Sequence, residues 1–135
     1  MKVLVDTSVW SLALRRTRPA QVAVVRELAE VVREGRVSMI GPVRQELLSG
    51  LKELRQFEVL RDHLRAFPDV ALDAADFEAA AEAFNRCRAK GVQGSNTDLL
   101  ICAVAIRRDW AIFTTDSDFP EFARVLPLHL HQPRA

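Results

Sequence analysis

Four acidic residues stand where the chain passes between an apolar run and a loop. Asp6 directly follows Val3-Leu4-Val5, and Asp116 follows Trp110-Ala111-Ile112-Phe113 after two threonines. Asp98 opens the apolar run Leu99-Leu100-Ile101-Cys102-Ala103-Val104-Ala105-Ile106, and Glu46 lies about one helical turn beyond Pro42. Carboxylates brought into one pocket raise one another's pKa unless a counter-charge joins them. Oxygen donors without sulfur or imidazole suit Mg²⁺ or Mn²⁺, which bind through a few carboxylates and a substrate phosphate. Such an ion lowers the pKa of an attacking water and stabilises charge on the leaving oxygen of a phosphodiester. Ser8, Thr114 and Thr115 offer hydroxyls at the same places, suited to holding the carboxylates in position.

Each acid also has a plainer use. On spacing alone, Asp6 and Asp98 serve equally well as helix caps. Glu46 taken singly reads as a surface glutamate, and Asp116 with Asp118 as turn formers. Their joint placement favours the site. Glu27, Glu30, Glu34, Glu53, Glu58, Glu78 and Glu82 fall among polar residues on helices and read as solvated faces. His129 and His131 alternate, so a strand would put them on one face, but no third zinc-ligand type accompanies them. Trp10, Phe57 and Phe67 read as core or interface. Nothing beside Cys87 or Cys102 would activate a thiolate.

The elements that must position these acids alternate along the chain. Short strands are expected at residues 3–5, 37–40, 70–72, 110–113 and 126–130, the last peripheral because of Pro127. Helical patterns cover residues 9–14, 19–34, 41–51, 54–67, 74–90, 98–108 and 119–124, with Pro19 starting the second and Gly91 closing the fifth. This alternation predicts an α/β fold: a three-layer α/β/α sandwich around a central, mostly parallel sheet of about five short strands. Ligands of such sheets sit beyond the carboxyl ends of the strands, where strand order reverses. Asp6 and Asp116 fall at that edge.

Composition bounds the remaining choices. A chain of 135 residues, 49% hydrophobic and 27% charged, reads as one domain spanning 1–135, too apolar for disorder. No apolar run reaches the ~20 residues of a membrane span, and Met1 leads into Lys2-Val3-Leu4-Val5-Asp6 rather than a secretory leader. Two distant cysteines exclude a disulfide scaffold and fit a reducing cytoplasm. A net charge of +1 excludes a strongly basic binding protein, although arginines outnumber lysines sixteen to three. Arginine suits phosphate, but a G- and C-rich genome produces the same bias.

Four segments in order resemble the PIN-domain ribonucleases, especially the VapC toxins of bacterial toxin–antitoxin pairs. They are Val3-Leu4-Val5-Asp6-Thr7-Ser8-Val9-Trp10, Pro42-Val43-Arg44-Gln45-Glu46-Leu47-Leu48-Ser49-Gly50, Thr97-Asp98-Leu99-Leu100-Ile101-Cys102-Ala103 and Phe113-Thr114-Thr115-Asp116-Ser117-Asp118-Phe119. Any one of these segments is weak; the series is specific and spans nearly the whole chain. The resemblance implies an acidic quartet of Asp6, Glu46, Asp98 and Asp116, with Asp118 as an accessory acid and Thr115 as a polar helper. It further implies a Mg²⁺- or Mn²⁺-dependent endoribonuclease of RNA, a homodimer, and neutralisation by an antitoxin. Cys102 stands where the family often has alanine, a small-for-small exchange. A partner segment packing along residues 9–14, against Trp10, Leu12 and Leu14, could place an arginine among the acids.

Other α/β proteins of this size fit less well. A receiver domain needs an acidic pair after its first strand and a late lysine, and no lysine follows Lys90. A haloacid-dehalogenase-type phosphatase needs Asp-x-Asp where this chain has Asp6-Thr7-Ser8. A non-catalytic PIN-like RNA-binding or scaffold module is the remaining alternative, and the intact acids oppose it.

Overall fold

The computed structural model describes residues 1–14 and 21–135. The expected helix start at Pro19 lies outside the described residues. The first strand, β1 (Val3–Val5), is wholly buried, as a β-branched-rich run flanked by two neighbours should be. Next come α1 (Thr7–Ala13), α2 (Val22–Arg33), β2 (Val37–Ser38), α3 (Gly41–Leu48) and α4 (Leu54–Leu64). The chain continues through α5 (Ala74–Ala89), α6 (Asn96–Arg108), β3 (Ala111–Phe113) and α7 (Asp118–Ala123).

The sheet is parallel in the order β2-β1-β3, with Leu4 opposite both Ser38 and Ile112. Strand order therefore reverses at β1, and the crevice opens beyond Val5 and Phe113. Of the outer two expected strands, that at 126–130 contracts to a single parallel bridge of Leu130 with Ile112, and that at 70–72 gives way to a bridge one residue earlier, Asp69 with Met39. Both lie at sheet edges with one neighbour each, and Pro127 cannot donate to a ladder.

Helix α6 explains its own sequence. Leu99 to Ala105 are all buried, so seven successive residues meet protein on every side. Ser95 caps its start by accepting the Asp98 N–H at 3.1 Å. Its end turns through Asp109 at a φ of 57°, and Arg107 and Arg108 reach across to α5. Asp76, with no exposed surface, accepts both Arg108 guanidinium nitrogens at 2.7 and 3.0 Å and Arg107 at 2.5 Å. It also shares a reciprocal cap with Asp73, each backbone N–H bonding the other's carboxylate at 3.1 Å. Gly91, at a φ of 77°, turns the chain after α5 as the sequence implied.

Glu27 departs from expectation. Rather than facing solvent it is 2% exposed, bonded to His131 at 2.6 Å and to Arg134 at 2.8 and 3.1 Å. Burial opposes its charge, but hydrogen bonds from Arg134 and His131 outweigh that and hold its carboxyl below the usual range. Arg134 also grips Glu34, and together with Arg36 pulls it down to about 2. This clasp fastens the terminal segment beside β3, where the His131 N–H donates to the Ile112 carbonyl at 2.8 Å. Arg134→Ala should therefore raise amide hydrogen exchange at His131 by at least about tenfold and leave Leu4 unchanged. Equal protection at His131 in both proteins would show that the clasp is idle.

Candidate active site

Asp6 is placed by β1 and held by its neighbours. Its N–H donates to the Phe113 carbonyl at 2.9 Å, which joins the end of β1 to the end of β3. Its Oδ2 accepts the Ser8 hydroxyl at 2.7 Å, the Thr114 hydroxyl at 2.9 Å and the Ser8 N–H at 3.4 Å. Asp6 thus caps α1, as one reading of the sequence expects, and does so at the crevice end of β1. The Ser8 oxygen accepts the Thr115 N–H at 3.0 Å, and Thr114 Oγ1 accepts the Asp116 N–H at 3.0 Å. This hydroxyl net connects the loop after β3 to the start of α1. In this net Thr114 contributes its hydroxyl and Thr115 its backbone N–H.

Three acids converge beside Asp6. Asp98, Asp116 and Asp118 each present a carboxylate oxygen, and those oxygens lie within 4.8 Å of one another. Asp116 in turn accepts the Asp118 backbone N–H at 2.9 Å in a local turn that brings the Asp118 carboxylate to the other two. Burial pushes the Asp98 carboxyl up, and the charges of Asp6 and Asp116 push it further. Ser95 caps α6, and its hydrogen bonds to the Asp98 carboxylate offset part of that rise. Glu46 lies apart from the trio. Exposed on α3, it accepts the Thr7 hydroxyl at 3.1 Å and so stands on the rim, one residue along from Asp6. One turn below Asp98, the Cys102 thiol is pushed well above its usual range by burial, then by Cys87 and these acids. It stays protonated and inert.

The histidines take no part. His131 is committed to Glu27, and His129 lies 3.6 Å from Asp109, so their alternation does not make a shared site. Of the three residues proposed for a partner groove, Trp10 is a correction. It is 5% exposed and packs edge-on against Phe67, in the segment after α4, with ring centroids 5.2 Å apart. Leu12 is half-buried. Leu14 is exposed and lines a hollow of about 620 Å³ with Leu51, Val59 and Leu60.

The donor set fits a hard divalent cation. Every candidate ligand is a carboxylate oxygen, and among the described residues no cationic side chain pairs with Asp6, Glu46, Asp98, Asp116 or Asp118. Mutual repulsion at Asp98 is therefore met by no guanidinium or ammonium of the described chain. A bound cation would relieve it.

A parallel α/β sheet with carboxylates gathered at its switch point defines the class. The PIN domain model matches residues 3–125, and the chain belongs to the PIN-domain family. It is 36% identical over 129 residues to VapC ribonuclease Mb1587 of Mycobacterium bovis and to ribonuclease VapC11 of Mycobacterium tuberculosis, covering 93% of this chain and 95% of each relative. Its fold is that of VapBC2 from Rickettsia felis bound to a promoter DNA fragment, with a TM-score of 0.78 at 21% identity over 97% of this chain and 98% of that one. FitAcB from Neisseria gonorrhoeae superposes with a TM-score of 0.76 at 21% identity, covering 97% of each chain.

Proposed function

We propose that this chain is a divalent-metal-dependent endoribonuclease and the toxin of a VapBC-type toxin–antitoxin pair. The observation that carries the reading is the cluster of Asp98, Asp116 and Asp118 beside Asp6, unmatched by cations among the described residues. The ribonuclease names of the relatives at 36% identity support RNA as the substrate class. Asp6, Asp98, Asp116 and Asp118 would hold Mg²⁺ or Mn²⁺, with Glu46 on the rim. Once bound, the ion supplies an activated water and a charge partner for the scissile phosphate. Ser8 and Thr114 fix the Asp6 carboxylate, so its geometry does not change when charge arrives. No histidine adjoins the cluster among the described residues, which favours water over the neighbouring 2′-hydroxyl as the nucleophile. The fragments should accordingly carry no 2′,3′-cyclic phosphate. Cyclic ends on every fragment would contradict a hydrolytic site.

Partners follow the same reading. The structural neighbours FitAcB and VapBC2, the latter bound to promoter DNA, support an antitoxin partner. Its amphipathic segment would seat on Leu14, Leu51, Val59 and Leu60, at the end of α1 opposite Asp6. A seven-residue helix spans about 10 Å, so a short continuation of that segment could bring an arginine to the acids. A homodimer would cover the apolar stripe Phe77, Ala80, Ala81 and Phe84 of α5, where Phe77 is 53% exposed. Among the described residues no helix is long and apolar enough to cross a membrane. The buried free thiols of Cys87 and Cys102 suit the reducing cytoplasm proposed for the chain.

Metal binding has a readout separate from cleavage. Saturating Mg²⁺ or Mn²⁺, at about 100 times its Kd, should stabilise the chain by about 2.7 kcal/mol. Asp98→Asn removes a repelled charge, so it should raise the melting temperature of the metal-free protein and shrink the response to metal. A variant that melts like the parent and responds equally to metal would separate Asp98 from the cation.

A further inference from the structure

Much of the positive charge among the described residues is engaged internally. Arg44 holds Asp69 and the carbonyls of Leu64 and Phe67, while Arg107, Arg108 and Arg134 are bound to buried carboxylates. A different set lies open where α5 ends. Arg86, Lys90 and Arg124 line a hollow of about 620 Å³ between the end of α5 and α7, with Glu121 as its one lining acid. Glu121 pairs loosely with Arg124 at 3.3 Å, both exposed, and among the described residues Arg86 donates only to the Val125 carbonyl. A second hollow of about 190 Å³, lined by Arg88, Gln93 and Gly94, adjoins the first at Val92. Together they form a trough with four cations and one carboxylate on its walls.

The trough leads toward the acids. Gly94 precedes Ser95, the cap of the helix that carries Asp98. No side chain fits at Gly94, because a Cβ would collide with Phe122 and Leu99, so the loop lies directly against α7. Helix α7 begins at Asp118, one of the clustered acids, and is C-capped by Arg124. Six helical residues span about 9 Å, which is the reach of roughly three stacked nucleotides at ~3.4 Å each. A phosphate chain with one phosphodiester at the acids would pass the cations within that distance, and arginine forks pair with phosphate oxygens in two-point contacts.

The geometry points to this trough as the track that holds the RNA strand beside the acids, with Arg86, Arg88, Lys90 and Arg124 binding its phosphates. The inference rests on the ribonuclease reading for the site the track serves, but its charge predicts binding with or without turnover. The test uses the full chain and its Arg88→Ala/Lys90→Ala/Arg124→Ala variant. Binding of a short fluorescein-labelled oligouridylate is followed by anisotropy in EDTA, between about 50 and 200 mM salt. The triple variant should bind at least about tenfold more weakly at low salt, and the slope of log affinity against log salt should fall by about 2. Removing equal charge elsewhere, as Lys2→Ala/Arg26→Ala/Lys52→Ala, should change affinity less than about threefold. With Mg²⁺ or Mn²⁺ added, the trough variant should show a raised KM at nearly unchanged kcat.

Equal losses in the two triple variants, or none in the first, would overturn the track. So would failure of the parent chain to bind the oligonucleotide, including the case in which a polyglutamate peptide binds the trough instead. Oligonucleotide bound through the trough but left uncut on adding metal would overturn the ribonuclease reading and leave the track standing.

Discussion

Asp6→Asn and Asp98→Asn should each reduce RNA cleavage by two to four orders of magnitude while the protein stays folded. The side chains keep their shape, and an asparagine oxygen at position 6 can still accept the Ser8 and Thr114 hydroxyls that Asp6 accepts at 2.7 and 2.9 Å. What is lost is a negative charge at the proposed cation site. Metal catalysis supplies several kcal/mol of transition-state stabilisation, and each ~1.4 kcal/mol is worth tenfold in rate. Glu46→Gln should fall less, because Glu46 stands on the rim and is tied to Thr7 rather than joined to the trio. Initial rates and melting curves on the same preparations check both halves. Near-parental rates in the Asp6 and Asp98 variants, with contaminating nuclease excluded, would remove these residues from the site.

The largest expected effect on stability lies away from the acids, at Asp76. Asp76→Ala strips a fully buried carboxylate from Arg107 and Arg108 and removes half of the reciprocal cap with Asp73. Breaking a buried ion pair costs about 3–5 kcal/mol. The two arginines keep some access to water, so the cost should fall at the lower end, about 3 kcal/mol, with a drop of about 10 °C in Tm. Arg108 beside Asp76 holds its carboxyl well below the usual carboxylate range; burial opposes this, and the Asp73 N–H and Arg107 add to it. A group whose folded pKa is depressed contributes its stability above the unfolded value of about 3.9. That contribution disappears as pH falls toward the folded value. The gap between parent and Asp76→Ala should thus be full at about pH 7 and narrower at about pH 3 in urea titrations. A gap that is unchanged across this range would show that charge at Asp76 is not what holds α5 to α6.

Local patterns were legible where one segment determines the outcome. The buried β1, the helix over residues 74–90 and the apolar α6 all follow from periodicity and end signals, and the structure has them close to the expected bounds. Asp6 and Asp116 could be set at the crevice because parallel sheets bind ligands there, and Asp98 because it opens the helix leading into β3. Contacts between remote segments were not legible. Glu27 sits among polar residues on α2, and its partners His131 and Arg134 are 104 and 107 positions away. Trp10 reads as available for a partner because its edge-on contact is with Phe67, 57 positions away in the segment after α4. Thr114 and Thr115 are neighbours of the same type, and only the path of the chain leaving β3 decides which hydroxyl turns to Asp6. Asp118 is indistinguishable from a turn former in sequence; the convergence of its carboxylate with those of Asp98 and Asp116 depends on how α6 and α7 pack. The weak edge strands failed for a related reason, since a strand with one neighbour needs only a single bridge to be held.

The central claim is that carboxylates at this switch point recruit a divalent cation to cut RNA. The most direct measurement is cleavage of a defined RNA by the purified chain, first stripped with EDTA, then given excess Mg²⁺ or Mn²⁺, with the Asp98→Asn variant in parallel. Cleavage should be absent in EDTA, restored by either ion in the parent, and little restored in the variant. Cleavage that continues at full rate in EDTA, or returns equally in Asp98→Asn, would contradict that claim.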